Sequence, residues 1–164
     1  MSTTERKNIE KENRRQVILD AALTVMQSYG LHGLSIDLIA QETNLAKGTV
    51  YLYFKSKEEI LSILTIRART LLIKDFQKII KNKESHIEKL KSILKSNYLF
   101  YKKNPLYYDL VSLYEVNNRM TKTEEMQQSG EKIMKIVAGE RRKKIIFYIN
   151  MNNVHILNYI LNKK

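Results

Sequence analysis

The chain of 164 residues is long enough for one domain, or for two small domains that share a core. Hydrophobic residues make up 43% of it, which is enough for a packed core and argues against wholesale disorder. One Pro and five Gly favour long helices over a turn-rich β fold, and the lack of Cys excludes disulfide scaffolds, thiolate zinc sites and cysteine nucleophiles. Neither a secretory leader nor an apolar run of membrane-spanning length is seen, so a cytoplasmic protein without a membrane partner is expected.

The net charge of +12 is concentrated towards the C-terminal end of the chain. Residues 141–164 carry six Lys or Arg and no Asp or Glu, whereas residues 1–57 carry eight basic and six acidic residues. A positive excess indicates a polyanionic partner, but a general preference for Lys in the composition produces the same total. Net charge therefore does not identify the partner, and the functional argument depends on the N-terminal pattern.

Apolar residues at intervals of three and four predict an amphipathic helix from about Glu10 to Tyr29. Gly30 follows as the residue that ends it, because glycine accepts a positive φ. Leu31–Leu34 form a short link, in which Gly33 is expected to provide conformational freedom. The apolar positions of the helix are Val17, Ile18, Ala21, Ala22, Val25, Met26 and Tyr29.

Two short helices are predicted next, separated by a tight turn. Ser35 is a good N-cap for the first of them, which ends near Thr43. Asn44 lies where the chain has to turn, and asparagine is the non-glycine residue that best accepts the left-handed conformation. The other helix runs from about Lys47 to Phe54.

Three short helices with a tight turn before the third are the outline of a helix-turn-helix unit. In such a unit the third helix lies in the DNA major groove, which is wide enough for one α-helix. Its inner face has to be apolar, and Leu45, Val50 and Phe54 meet that requirement. Gly48 would let the backbone approach the DNA closely. The residues left on the outside of this helix are Lys47, Gly48, Thr49, Tyr51 and Tyr53.

The rest of the chain is also predicted to be helical. A long helix from Lys57 to about Ile80 is followed by one capped by Ser85, and Asn104–Pro105 marks the next boundary. Further helices are expected from Pro105 to about Asn118 and, after a capping box at Thr121 and Glu124, to about Val137. The basic segment after Gly139 has both strand-like and helix-like stretches and is taken as helix.

The stretch from Ile18 to Leu61 resembles the N-terminal domain of the tetracycline-repressor (TetR-like) family of transcriptional regulators. The resemblance depends mainly on the signature IA-x5-AKGT-x-Y-x-YF-x-SKE-x-I, which runs from Ile39 to Ile60. It implies an all-α protein with a helix-turn-helix DNA-binding domain over residues 1–57 and a helical ligand-binding and dimerisation domain over residues 58–164. It also implies a homodimer that represses from a palindromic operator and is released by a small apolar inducer. Carried over by position, the DNA contacts fall on Ser35, Lys47, Gly48, Thr49, Tyr51, Tyr53 and Lys57.

The sequence departs from the family pattern at three places. Asn44 stands where the family often has Gly, which the left-handed preference of Asn tolerates. Ala46 stands where the family often has Ser, so a capping hydroxyl worth ~1 kcal/mol is lost. The basic, Asn-rich end of the chain differs from the two long apolar helices that pair across the dimer in many members, which leaves dimerisation open.

Several of these residues also allow a plainer interpretation. Tyr51 could be a core aromatic, and Lys57 an ordinary surface lysine. The pair Arg14–Arg15 could either touch the DNA backbone or lie on a solvated helix face. A ligand site in the second domain would use Tyr98, Tyr101, Tyr108 and Tyr114, although tyrosines at helical spacing more commonly fill a core.

An enzyme and a binding protein that acts through the basic tail are the two alternatives to a DNA-binding regulator. An enzyme is not expected, because the three His are scattered and no catalytic motif is present; no cofactor and no metal are expected either. The basic tail, with Arg141–Lys144 followed by aliphatic and aromatic residues, would suit a peripheral membrane protein or an RNA-binding protein. Duplex DNA binding should depend on Lys47 and Tyr51, whereas membrane or RNA binding should depend on the tail.

Overall fold

The fold is described from a computed structural model, for residues 2–111 (at 86 and 90 the backbone alone), 128, 131 and 132. Residues 1–61 form one compact unit and a second begins at Ser62. In the described part of the chain all regular structure is helical, which confirms the all-α fold class. The helices are α1 (Thr3–Gly33), α2 (Ile36–Glu42), α3 (Lys47–Tyr53), α4 (Lys57–Lys81), α5 (His86–Lys103) and α6 (Pro105–Asp109).

Helix α1 begins at Thr3, seven residues before the predicted start at Glu10. The cause is a capping box. The Ser2 hydroxyl accepts the Glu5 backbone N–H at 3.2 Å, and the Ser2 N–H donates to the Glu5 carboxylate at 2.6 Å. These two bonds satisfy backbone donors that the first turn would otherwise leave to water, so the charged N-terminal segment is helical.

The two glycines near the end of α1 play different roles. Gly30 adopts φ +73°, which interrupts the helix as predicted, and a last turn continues to Gly33. The expectation that Gly33 provides freedom was wrong. A Cβ at Gly33 would lie 2.7 Å from the Cβ of Tyr29, so any other residue there would clash with Tyr29.

The core of the first unit forms where α1 packs on α2 and α2 packs on α3. Two residues assigned to the apolar face of α1, Val17 and Tyr29, are exposed instead, because the buried stripe is narrower than the periodicity predicted. The buried residues are Ile18, Leu19, Ala21, Ala22, Val25, Met26, Leu34, Ile36, Ile39, Ala40, Val50 and Phe54.

The turn between α2 and α3 is a Schellman motif centred on Asn44, which has φ +52°. The Asn44 N–H donates to the Gln41 carbonyl at 3.1 Å, and the Leu45 N–H donates to the Ala40 carbonyl at 2.9 Å. These bonds satisfy the last carbonyls of α2 and reverse the chain within a few residues. The left-handed conformation predicted for Asn44 is confirmed.

In the second unit α4, α5 and α6 share an apolar cluster. The Ser85 hydroxyl caps α5 by accepting the Glu88 N–H at 3.3 Å, and α6 begins at Pro105 as predicted. Leu71 of α4 is exposed, whereas the adjacent Leu72 is buried. Gln128, Glu131 and Lys132 are helical; the predicted ends at Asn118 and Val137 and the tail lie outside the described residues. The cluster consists of Ala68, Leu72, Phe76, Ile93, Phe100, Tyr108 and Val111.

Candidate nucleic-acid interface

Helix α3 has one buried and one exposed side. Val50 is fully buried, whereas Tyr51 is 47% exposed and Leu52 is 79% exposed. The alternative that Tyr51 is a core aromatic is therefore wrong. Lys47 and Gly48 are also exposed, and Thr49 and Tyr53 are partly so. The five α3 residues predicted to meet DNA thus lie together on one short helix whose outer side faces solvent within this unit.

Leu52 is a candidate contact that the sequence analysis missed. An aliphatic side chain exposed to this degree gains nothing from the fold, since the hydrophobic effect rewards removal of apolar surface from water. The signal was present in the sequence, because Leu52 follows Tyr51 on the side away from Val50. The family signature has no fixed residue at position 52, so the resemblance does not indicate a contact there.

Lys47 pairs with a carboxylate from the preceding helix. Its Nζ lies 2.8 Å from Oδ1 and 3.0 Å from Oδ2 of Asp37. The hydrogen bond from Lys47 to Asp37, and then the attraction between their charges, raise the pKa of Lys47 above its usual 10.5. Both side chains are well exposed, so the pair is a weak, solvent-screened one that a stronger anion could displace.

The two ends of α3 are held in different ways. At the start, Ala46 is the N-cap and provides no side-chain hydrogen bond, as its methyl group predicts. At the end, the Tyr53 carbonyl accepts a hydrogen bond from Arg15 Nη1 at 2.5 Å, and the Arg15 guanidinium lies 4.4 Å from the centre of the Phe54 ring. Phe54 itself is buried. Arg15 therefore does not lie on a solvated face, and its contact with DNA stays a prediction.

The two predicted contacts outside α3 lie at helix starts. The Ser35 hydroxyl accepts the Leu38 N–H at 3.2 Å and is thus the N-cap of α2. Lys57 is the first residue of α4 and is partly buried, in a segment where the Ser56 hydroxyl accepts the Glu59 N–H at 3.3 Å. Both positions belong to the first unit, as α3 does.

The tyrosines predicted to line a ligand site are divided between core and surface of the second unit. Tyr108 is buried in the apolar cluster, and Tyr101 packs edge-on against it with ring centres 5.0 Å apart. Tyr98 is partly exposed and has Lys102 Nζ 5.7 Å from its ring centre. Tyr114 lies outside the described residues. A ligand contact by any of them stays a prediction.

Over residues 2–111, 128, 131 and 132, no three His, Cys, Asp or Glu side chains are grouped as metal ligands would be. Within the same part of the chain no helix combines the length and the apolar character that crossing a bilayer requires.

Comparison with known proteins links the α2–α3 segment to one family. Residues 18–63 match the family model described as bacterial regulatory proteins, tetR family. The fatty acid metabolism regulator protein of Bacillus subtilis strain 168 is 34% identical over 89 residues, which are 54% of this chain and 46% of that relative. The chain therefore spans about half of that relative's length. The resemblance read from residues 39–60 is confirmed.

Solved structures extend the likeness of fold beyond the N-terminal unit. The TetR family transcriptional regulator PfmR from Thermus thermophilus has a TM-score of 0.58 at 17% identity, covering 88% of this chain and 71% of that one. The fatty acid degradation regulator FadR from Bacillus halodurans has a TM-score of 0.53 at 24% identity, covering 73% and 61%. The relatives are regulators, in agreement with the expectation that the chain is not an enzyme.

The missing N-cap of α3 can be supplied by substitution. Ala46→Thr should stabilise the full chain against urea by ~1 kcal/mol, because the added hydroxyl can accept an N–H of the first turn of α3. Ala46→Val is the matched control, since valine has the shape of threonine without its hydroxyl. Equal unfolding free energies for the two variants would show that α3 is not limited by its N-cap.

Proposed function

We propose that this chain is a transcriptional regulator of the tetR type, which inserts α3 into the major groove of duplex DNA. The observation that carries the proposal is the division of α3 into two sides. Val50 and the adjoining Phe54 are buried, while Lys47, Gly48 and Tyr51 are exposed. The exposed polar and aromatic side of such a helix can enter a DNA groove while its buried side stays packed in the core.

Gly48 provides an argument for a close partner on this side of α3. A Cβ built at Gly48 meets nothing within 4 Å, and its φ is not positive, so neither space nor backbone conformation requires glycine. Glycine inside a helix costs about 0.5–1 kcal/mol relative to alanine. The fold thus carries an avoidable cost at this position, and close approach of a DNA backbone or base edge accounts for it.

The remaining residues of α3 divide into positioning and reading contacts. Lys47 and the hydroxyls of Tyr51 and Tyr53 are proposed to meet phosphates, which would fix the helix on the duplex. Thr49 and Leu52 bring methyl groups to the outer side, and these suit the 5-methyl group of thymine. The operator is accordingly expected to present thymines to α3.

Lys47 has to change partner when DNA binds. In the free protein it pairs with Asp37, and on the duplex it would pair with a phosphate, which is the stronger acceptor of charge-assisted hydrogen bonds. Asp37 would then lie unpaired near a polyanion. This repulsion between Asp37 and the phosphates lowers the affinity for any DNA, and only the contacts made on the correct sequence would compensate for it.

Ser35 and Lys57 are proposed as phosphate contacts on either side of α3. The Ser35 hydroxyl accepts a hydrogen bond as N-cap of α2, which leaves its own O–H able to donate to a phosphate oxygen. Lys57 begins the long helix α4, where its charge and the positive end of the helix dipole both favour an anion.

The regulator is proposed to act as a repressor in the cytoplasm, as a homodimer on a palindromic operator. One helix-turn-helix unit contacts one half-site, and linking two of them makes the second contact intramolecular, which raises affinity without new contacts. A seven-residue reading helix offers few contacts by itself, so this gain is needed for tight binding.

A small apolar inducer is proposed to bind the second unit. The aromatic cluster around Tyr101 and Tyr108 provides apolar surface, and Asn97 is buried with no hydrogen-bond partner for its Oδ1 among the described residues. A buried acceptor without a partner is costly, so a ligand with a polar donor and an apolar body would complement it. The Bacillus subtilis relative, named for fatty acid metabolism, agrees with an apolar ligand.

Tyr51→Ala should weaken operator binding by about 1–3 kcal/mol while leaving the fold intact, because it removes a half-exposed contact from α3. The probe is a duplex selected from a random pool by the full chain, measured by fluorescence anisotropy. Tyr29→Ala, which removes an exposed tyrosine elsewhere in the same unit, is the matched control and should bind normally.

The same assay separates DNA reading from the basic-tail alternative. A variant with alanine at residues 141–144 should retain preference for the selected duplex. Loss of binding in that variant together with normal binding by Tyr51→Ala would favour the RNA-binding or membrane-binding function instead.

Gly48→Ala should have opposite effects on stability and on binding. Alanine has open space there and a better helix propensity, so the unfolding free energy should rise by about 0.5–1 kcal/mol. Operator affinity should fall, because the methyl group keeps α3 from the duplex. Gly30→Ala is the contrasting control and should destabilise the chain, since Gly30 has φ +73°. Unchanged operator affinity for Gly48→Ala would contradict close approach at this position.

The dimer has a direct test in solution. Light scattering of the full chain should give twice the monomer mass of 19.4 kDa, and the complex with a selected palindrome should contain two chains per duplex. A single chain on a single half-site would contradict the dimeric arrangement while leaving the reading role of α3 in place.

A further inference from the structure

Arg15 joins α1 to the far end of α3 by two contacts on one side chain. Its Nη1 donates to the Tyr53 carbonyl at 2.5 Å across 38 residues of sequence, and its guanidinium lies over the Phe54 ring at 4.4 Å. Tyr53 is the last residue of α3 and Phe54 is its C-cap. The contact therefore fixes the position at which the reading helix ends.

The chemistry of this contact requires arginine. A guanidinium donates in its own plane while presenting its face to an aromatic ring, and the compact ammonium of lysine cannot keep both geometries at once. The positive charge also lies at the negative end of the α3 dipole. Glu12 Oε2, 3.9 Å from Arg15 Nε, gives the same cation a carboxylate partner, and the side chain is only 25% exposed.

We propose that Arg15 is a positioning residue for DNA reading, which acts by holding the last turn of α3 and not by touching DNA. This proposal rests on the function proposed above. Leu52, proposed above to meet a thymine methyl group, belongs to that last turn, and contact with a base edge requires exact placement, whereas attraction to phosphates depends mainly on charge. Loosening the turn should therefore reduce discrimination between sequences more than general attraction to DNA.

The distinguishing experiment compares Arg15→Lys with Arg15→Ala in the full chain. Lysine keeps the charge and loses the planar contact, while alanine loses both. Each variant is titrated against the selected duplex and a scrambled duplex over a range of salt concentrations. Arg6→Lys, an exposed exchange on the same helix, is the matched control, and Lys47→Ala shows how far loss of one phosphate contact lowers the salt slope, by about one.

Arg15→Lys should bind the selected duplex about tenfold more weakly, with its affinity for the scrambled duplex and its salt slope unchanged. The ratio of the two affinities is insensitive to a partly unfolded sample, since unfolding lowers both equally. In the free protein, the Phe54 amide, which donates to the Val50 carbonyl at 3.1 Å, should exchange with solvent faster in Arg15→Lys than in Arg6→Lys.

Three results would overturn this role. An unchanged affinity ratio in Arg15→Lys would show a purely structural residue. Wild-type affinity for Arg15→Lys, with a lowered salt slope for Arg15→Ala, would show a direct phosphate contact instead. If the wild-type chain prefers no duplex over another, the proposed function fails first, and that outcome is visible before any variant is measured.

Discussion

The proposed DNA-binding surface depends on how α3, a helix of seven residues, is held by contacts on its inner side and at its ends. An isolated helix of this length is not stable in water, because the first turn fixes several residues for a single hydrogen bond. Helix α3 therefore exists only through its surroundings: the burial of Val50 and Phe54, the Schellman turn at Asn44, and Arg15 at its end. Because every one of these supports lies on the inner side or at the ends, the outer side stays available to a partner.

Two residues at the start of α3 weaken the helix, so its stability depends even more on the contacts around it. Ala46 leaves the start without a side-chain cap, and Gly48 weakens the first turn in open space. A helix selected for stability alone would avoid both. For Gly48 and the exposed Leu52 the proposed contact with DNA provides a reason, whereas nothing in the structure explains Ala46.

Local signals were predictable from the sequence, and contacts between distant residues were not. The cap at Ser35 and the left-handed Asn44 follow from the chemistry of a few adjacent residues, and both predictions were confirmed. The capping box at Ser2 has the same kind of local signal and was overlooked. The contacts of Arg15, and the pair between Lys47 and Asp37, join residues far apart in sequence, and no periodicity indicates such partners. For this reason the sequence predicted which residues lie on the exposed side of α3, but it did not predict the contacts that hold α3 in position.

The most direct test is a titration of the isotope-labelled full chain with the selected duplex, followed by backbone amide chemical shifts in NMR spectra. If the outer side of α3 enters the groove, the largest changes will fall within residues 47–53, with smaller ones at Ser35 and Lys57. Changes confined to the basic residues 141–164, with the amides of α3 unmoved, would contradict the account.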